Sequence, residues 1–258
     1  MLKKILILIM GGKQFIIYKF LSSIKISIVN YKKILPIIKK ELYLNFFIKV
    51  LISQFFITFN PVKSLQKKEI KDKYNFKFLD FFTQNTNVWK KFLSNIDNFN
   101  YLEIGTFEGR SALFISELKN SKKIICIDPY IEYDDSHKYN FKMSEVYESV
   151  SEKFKEVQNK SISLIKKKSD DFFSENKELF EVIYIDGHHQ YEYVKRDFEN
   201  SMNCLKINGI LICDDFLWFK YKKLEDNPTK AILECYYKYQ KNLNILFINN
   251  QIIFKKIN

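Results

Sequence analysis

The sequence predicts an α/β fold: a mostly parallel, doubly wound sheet with helices on both faces and a basic, helical extension ahead of it. Apolar runs at 101–104, 123–127, 181–185 and 210–213 are each followed by an acid or a glycine and separated by stretches of helical character, the alternation that builds parallel sheets. Two further apolar runs, 244–249 and 251–256, meet at a tight Asn-Asn turn and read as an antiparallel hairpin. Six glycines and four prolines in 258 residues are too few for an all-β protein rich in tight turns. With 47% hydrophobic and 28% charged residues, the chain is not a disordered tail, a collagen-like fibre or a disulfide-stapled miniprotein.

The formal net charge of +12 is confined to one part of the chain. Residues 1–75 hold 15 lysines against Glu41, Glu69 and Asp72, whereas residues 76–258 hold 27 basic and 27 acidic residues. The chain therefore divides into a basic, apolar extension (1–75) and a charge-neutral α/β domain (76–258). A neutral domain draws in no polyanion, so nucleic acid is not an expected partner.

Within the extension, residues 1–10 form an apolar run too short for a secretory signal and lacking its small-residue cleavage site. Residues 42–59 are the longest apolar segment, but Lys49 and Gln54 near its middle argue against a membrane span. The lysines scattered through 13–40 suit helices packed on the domain with their charges solvated, or helices lying on an anionic membrane surface. Asn60-Pro61 and the polar run 63–75 read as the linker. Cys126, Cys204, Cys213 and Cys235 have no C-x-x-C spacing and read as buried, reduced thiols. That reading fits a cytoplasmic protein, membrane-associated if the extension meets lipid.

After a helix expected near 87–96, a strand, a glycine turn and a helix start follow one another at 101–112, a place where backbone N–H groups face a ligand. Gly105 and Gly109 give G-x-x-x-G, so the dinucleotide fingerprint G-x-G-x-x-G is not met. Asp128 ends the next strand, 25 residues after Glu103, where an acid can bind both ribose hydroxyls. Glu103 and Glu108 in the turn suit a cationic or zwitterionic nucleoside better than a pyrophosphate.

These residues resemble the class I S-adenosylmethionine-dependent methyltransferases, in the O-methyltransferase-like branch called methyltransferase family 24. The resemblance covers about residues 76–258 and implies a Rossmann-like, seven-stranded sheet with a reversed final hairpin. It implies that Glu103, Gly105, Thr106 and Gly109 form the cofactor turn and that Ser111 binds the methionine carboxylate. Asp128 would bind the ribose, Pro129 and Tyr130 would pack on the adenine, and Ser169 and Asp170 would bond its edge. Phe107 stands where many members of the wider class have glycine. Apart from any resemblance, Ser169 with the acids after it also reads as the start of a helix.

A further strand ends at Asp186, and after a helix near 193–205 and a turn at 207–209 another ends at Asp214-Asp215. Adjacent parallel strands would gather these three acids at one edge. There they cannot all stay ionised without a counter-charge, and Mg²⁺ or another divalent cation is the natural one. The resemblance agrees: Asp186, Asp214 and Asp215 match the metal positions of metal-dependent O-methyltransferases, and Asp186 also borders the cofactor. His189 stands three residues after Asp186, where catechol-type enzymes carry a lysine. It is the expected general base, acting on a hydroxyl acidified by the metal. His188 is expected to point outward and His137 to be solvated. Trp218 would pack against the acceptor. A helix at 228–239 precedes the hairpin.

The function expected is methyl transfer from S-adenosylmethionine to a hydroxyl of a small molecule or saccharide, with divalent metal assistance. The alternatives are a non-catalytic methyltransferase-like binding module and another α/β nucleotide enzyme, such as an NAD-dependent oxidoreductase. Whether the protein forms a homo-oligomer is left open.

Overall fold

A computed structural model describes residues 2–63, 73–132, 141–157, 161–219 and 221–258, with the backbone alone for 2–14. His137 and most of the expected linker lie outside the described residues. Seven strands form one sheet: β1 (Phe99–Ile104), β2 (Ser121–Ile127), β3 (Ser161–Ile165), β4 (Phe180–Ile185), β5 (Leu205–Cys213), β6 (Leu243–Ile248) and β7 (Ile252–Lys256). Their spatial order is β3-β2-β1-β4-β5-β7-β6. The contacts from β3 through β5 are all parallel, and β7 runs antiparallel to both β5 and β6. The reversal expected of the closing hairpin thus falls on β7, which slots between β5 and the edge strand β6.

Alternate residues of the strands feed two cores, as the period of two requires. Leu102, Ile104, Ile183 and Ile185 face one side, where Val194, Phe198 and Met202 of α7 (Tyr191–Cys204) and Ala231 and Ile232 of α8 (Pro228–Tyr239) cover them. Tyr101, Val182 and Tyr184 face the other side. There they meet α3 (Thr86–Leu93), α4 (Arg110–Glu117) and α5 (Met143–Lys155), which supply Trp89, Leu113 and Val150. The short α6 (Ser169–Glu175) brings Phe172 to the first core. Neither β3 nor α5 stands out in the sequence. β3 is a half-exposed edge strand, and α5 follows a polar stretch.

The extension is helical, as expected: α1 spans Leu2–Ile34 and α2 spans Tyr43–Phe59. Both reach the first core, which includes Ile34, Ile38, Phe46 and Val50. Polar bonds fix the contact. Ile248 N–H donates to Ser53 Oγ (2.9 Å), Asn249 Nδ2 donates to Gln54 Oε1 (3.1 Å), and Tyr237 Oη donates to Ile37 O (3.2 Å). Among the described residues, 40–59 is the only segment long and apolar enough to cross a membrane, and one face of it is committed to the domain.

Candidate active site

Four backbone hydrogen bonds define the carboxyl edge of the sheet. Gly105 N–H donates to Ile127 O (2.8 Å), Asp128 N–H to Ile165 O (3.2 Å), Asp186 N–H to Ile104 O (2.8 Å) and Asp214 N–H to Ile185 O (2.9 Å). Each acid is held by the last carbonyl of a neighbouring strand, so the backbone itself gathers Asp128, Asp186 and Asp214. Gly105 is obligatory at this junction. Its φ is +84°, and a Cβ there would lie 2.0 Å from Asp186 O.

Glu103 is fully buried and accepts hydrogen bonds from Tyr101 Oη (2.5 Å) and Ser111 Oγ (2.8 Å). Burial pushes its carboxyl up to about 8 against the pull of these two donors. Ser111, expected to meet a methionine carboxylate, here spends its proton on Glu103. Asp128 Oδ2 accepts from Thr106 N–H and Phe107 N–H (both 3.0 Å) and Oδ1 from Tyr130 N–H (2.8 Å). It therefore shapes the glycine turn besides marking the expected ribose position. Burial raises its pKa, and these three N–H groups oppose the rise. The Tyr130 ring is buried, and its hydroxyl donates to Phe107 O (3.0 Å), while Pro129 beside it stays half-buried.

Two residues of the turn face away from a ligand. Gly109 (φ +78°) backs onto α5, where a Cβ would lie 2.7 Å from both Val150 and Phe154 side chains. Glu108, read from the sequence as charge for a cationic ligand, is turned into the protein. It accepts from Lys77 N–H (2.6 Å) and Phe78 N–H (3.1 Å) and pairs with Arg110 (3.4 Å) and Lys153 (3.3 Å). The physical reason is pairing: two buried cations from α4 and α5 require a buried anion between them. Their charge is thereby consumed, and the turn faces a ligand with acids rather than cations.

At the start of α6, Ser169 is hydrogen-bonded to Asp197, and Asp170 pairs with Arg196 (3.0 Å). Asp197, which carries no sequence motif, is 3% exposed, and burial pushes it up to about 7.

Asp186 accepts from Tyr184 Oη at 2.8 Å. Burial, then the charges of Asp214 and Asp215, hold it well above the ordinary carboxylate range. Asp214 is used from within: Oδ1 accepts from Asp215 N–H (2.8 Å), and Oδ2 accepts from Gln251 Nε2 (2.7 Å) and from Tyr184 Oη. Gln251 is in turn held by Trp89 Nε1–H at 2.8 Å. Burial and Asp215 bring Asp214 up to about 6. Asp215 has a φ of +57° and lies 3.0 Å from His189 Nε2. Ligand atoms of Asp186, His189 and Asp215 all fall within 4.8 Å of one another, a candidate metal trio that contains His189 in place of Asp214. Trp218 meets the His189 ring edge-on, with centroids 4.8 Å apart. His188 is exposed and stacks on Tyr193 (4.3 Å). From Gln190 onward, Tyr191, Glu192, Glu225 and Asp226 line an open cleft of about 540 Å³.

Residues 102–216 match the sequence profile of the methyltransferase domain family. The chain carries a class I methyltransferase domain. Protein R132 of Acanthamoeba polyphaga mimivirus, uncharacterized, is 28% identical over 135 residues, 48% of this chain and 55% of its own. The chain thus spans about half the length of that relative. The methyltransferase-domain fold is shared with an O-methyltransferase from Bacillus cereus in complex with SAH, at 14% identity, 80% of this chain, 97% of that one and a TM-score of 0.53. The SAH-bound methyltransferase PaMTH1 of Podospora anserina also shares it, at 15% identity, 77% of this chain, 90% of that one and a TM-score of 0.54.

Proposed function

We propose that the protein transfers a methyl group from S-adenosylmethionine to a hydroxyl of a small molecule or saccharide, assisted by a divalent cation. The observation that carries this reading is the convergence of Asp186, Asp215 and His189 at the carboxyl edge of a methyltransferase domain. The donor set fits a positively charged cofactor. Arg110 and Lys153 are committed to Glu108, and buried Glu103 is held protonated for want of a cation. When bound, S-adenosylmethionine supplies an electrophilic methyl on a sulfonium, and a divalent cation supplies a Lewis acid that acidifies the acceptor hydroxyl.

The chain's own groups do the rest. Glu103, Asp128 and the turn at Gly105-Thr106 hold and orient the cofactor. Asp186 and Asp215, with Asp214 behind them, would hold the metal. Asp215 fixes the His189 ring, which takes the hydroxyl proton as the acceptor oxygen attacks. Tyr191 borders the cleft, whose carboxylates suit the hydroxyls of a sugar acceptor, and Trp218 against the His189 ring offers that acceptor an aromatic face. Much of the acceleration comes from holding acceptor and cofactor in line. Four free, buried cysteines support a reducing, cytoplasmic setting.

Calorimetric titration with S-adenosylmethionine, with and without Mg²⁺ or Mn²⁺, tests this reading. Micromolar binding that Asp128→Ala abolishes in a folded variant supports it, as does tighter binding with the cation. Absence of binding by folded protein would leave a non-catalytic binding module.

A further inference from the structure

We propose that the outer faces of α1 and α2 dock the protein on an anionic lipid surface. The two helices bury only their inner sides. Phe46, Val50, Ser53 and Gln54 of α2 face the domain, and Ser23, Ser27 and Ile34 of α1 are buried, with Ser23 Oγ donating to Thr58 Oγ1 of α2 at 2.9 Å. The opposite sides are apolar and uncovered. Leu44, Ile48 and Ile52 follow one another at four-residue spacing along α2 and are 70%, 43% and 57% exposed. Ile17, Leu21 and Ile28 lie on one face of α1 and are 58% exposed at Leu21. Rows of exposed apolar side chains on both helices suit a partner better than water.

Charge selects the partner. Residues 1–63 carry 11 lysines and a single acid, Glu41. Lys25, Lys32, Lys33 and Lys40 are exposed and form no ion pair among the described residues. A second copy of the same face would set lysines against lysines with almost no acids to meet them. An anionic lipid surface answers the apolar rows and the lysines together. The helices lie on such a surface rather than cross it, because withdrawing α2 into a bilayer would strip Ser53 and Gln54 of their bonds to Ile248 and Asn249.

The test is sedimentation of the full chain with phosphatidylcholine vesicles, with or without phosphatidylglycerol. The chain is expected to pellet only with phosphatidylglycerol present. Lys25→Glu with Lys32→Glu, or raised salt, should weaken binding roughly tenfold or more. Ile48→Asn with Ile52→Asn should also release it, while circular dichroism stays unchanged because both side chains are exposed. Failure to bind, binding indifferent to phosphatidylglycerol, or a solution dimer dissolved by the Ile48 and Ile52 changes would each overturn the proposal, the last by showing that a second copy covers the face.

Discussion

Tyr184 Oη lies 2.8 Å from Asp186 Oδ2, and the same hydroxyl is hydrogen-bonded to Asp214. One hydroxyl brings one proton, so it cannot donate to two ionised carboxylates at once. The arrangement closes when Asp186, held well above the ordinary range, keeps its own proton and Tyr184 donates to Asp214. Tyr184→Phe removes the shared hydroxyl and leaves two crowded acids without it. It should cost about 1–3 kcal/mol of stability, read by urea unfolding, and should weaken divalent-cation binding in the same preparation.

Glu103 makes stability depend on pH. Its carboxyl titrates near 4.5 when unfolded and at about 8 when folded, so between those values the native state binds the extra proton. Its contribution is complete below about 4.5 and is lost as pH rises toward 8. Glu103→Gln should flatten the fall in Tm across that window. An unchanged pH profile would show that Glu103 is ionised in the folded protein. In the wild type, a cationic cofactor favours ionised Glu103, so S-adenosylmethionine should bind more tightly as pH climbs toward 8.

Gly105→Ala should be among the most damaging single changes, since its Cβ would collide with the Asp186 carbonyl at 2.0 Å and its φ of +84° is strained for alanine. A loss of about 4 kcal/mol or more is expected, read from denaturant midpoints. Gly187→Ala, with its nearest neighbour at 3.3 Å, should be far milder.

Glu108→Gln leaves Arg110 and Lys153 buried without an anion. The expected cost is about 3–5 kcal/mol. Adding Lys153→Met should recover part of it, because one stranded charge is then gone. A double variant no more stable than the single would show that the pair does not share Glu108.

Much of the carboxyl edge was legible because position along the chain encodes it. An acid directly after an apolar run becomes an acid at a strand end, and Asp128, Asp186 and Asp214 obey that rule. Glu108 was misread because its partners come from residues 77, 78, 110 and 153, and no local pattern announces them. Tyr184 and Gln251 were hidden for a related reason. One reads as an ordinary strand aromatic and the other as the first residue of a hairpin strand, until folding brings them both to Asp214. The extension's helices were legible from composition, but their seat on β6 rests on Ser53 and Gln54, which carry no recognisable signature.

The position of β7 also sets an order of events during synthesis. It follows β5 and β6 in the chain yet lies between them, and β6 pairs only with β7 among the described strands. A nascent chain that has released β6 therefore has no strand to pair it with, and the flank of β5 stays open to other chains. Gln251, which steadies Asp214, emerges at the same late moment. A product cut short by a stalled ribosome before residue 251 would own the glycine turn but lack a settled carboxylate edge. Quality control would then meet an exposed strand and an inert protein together.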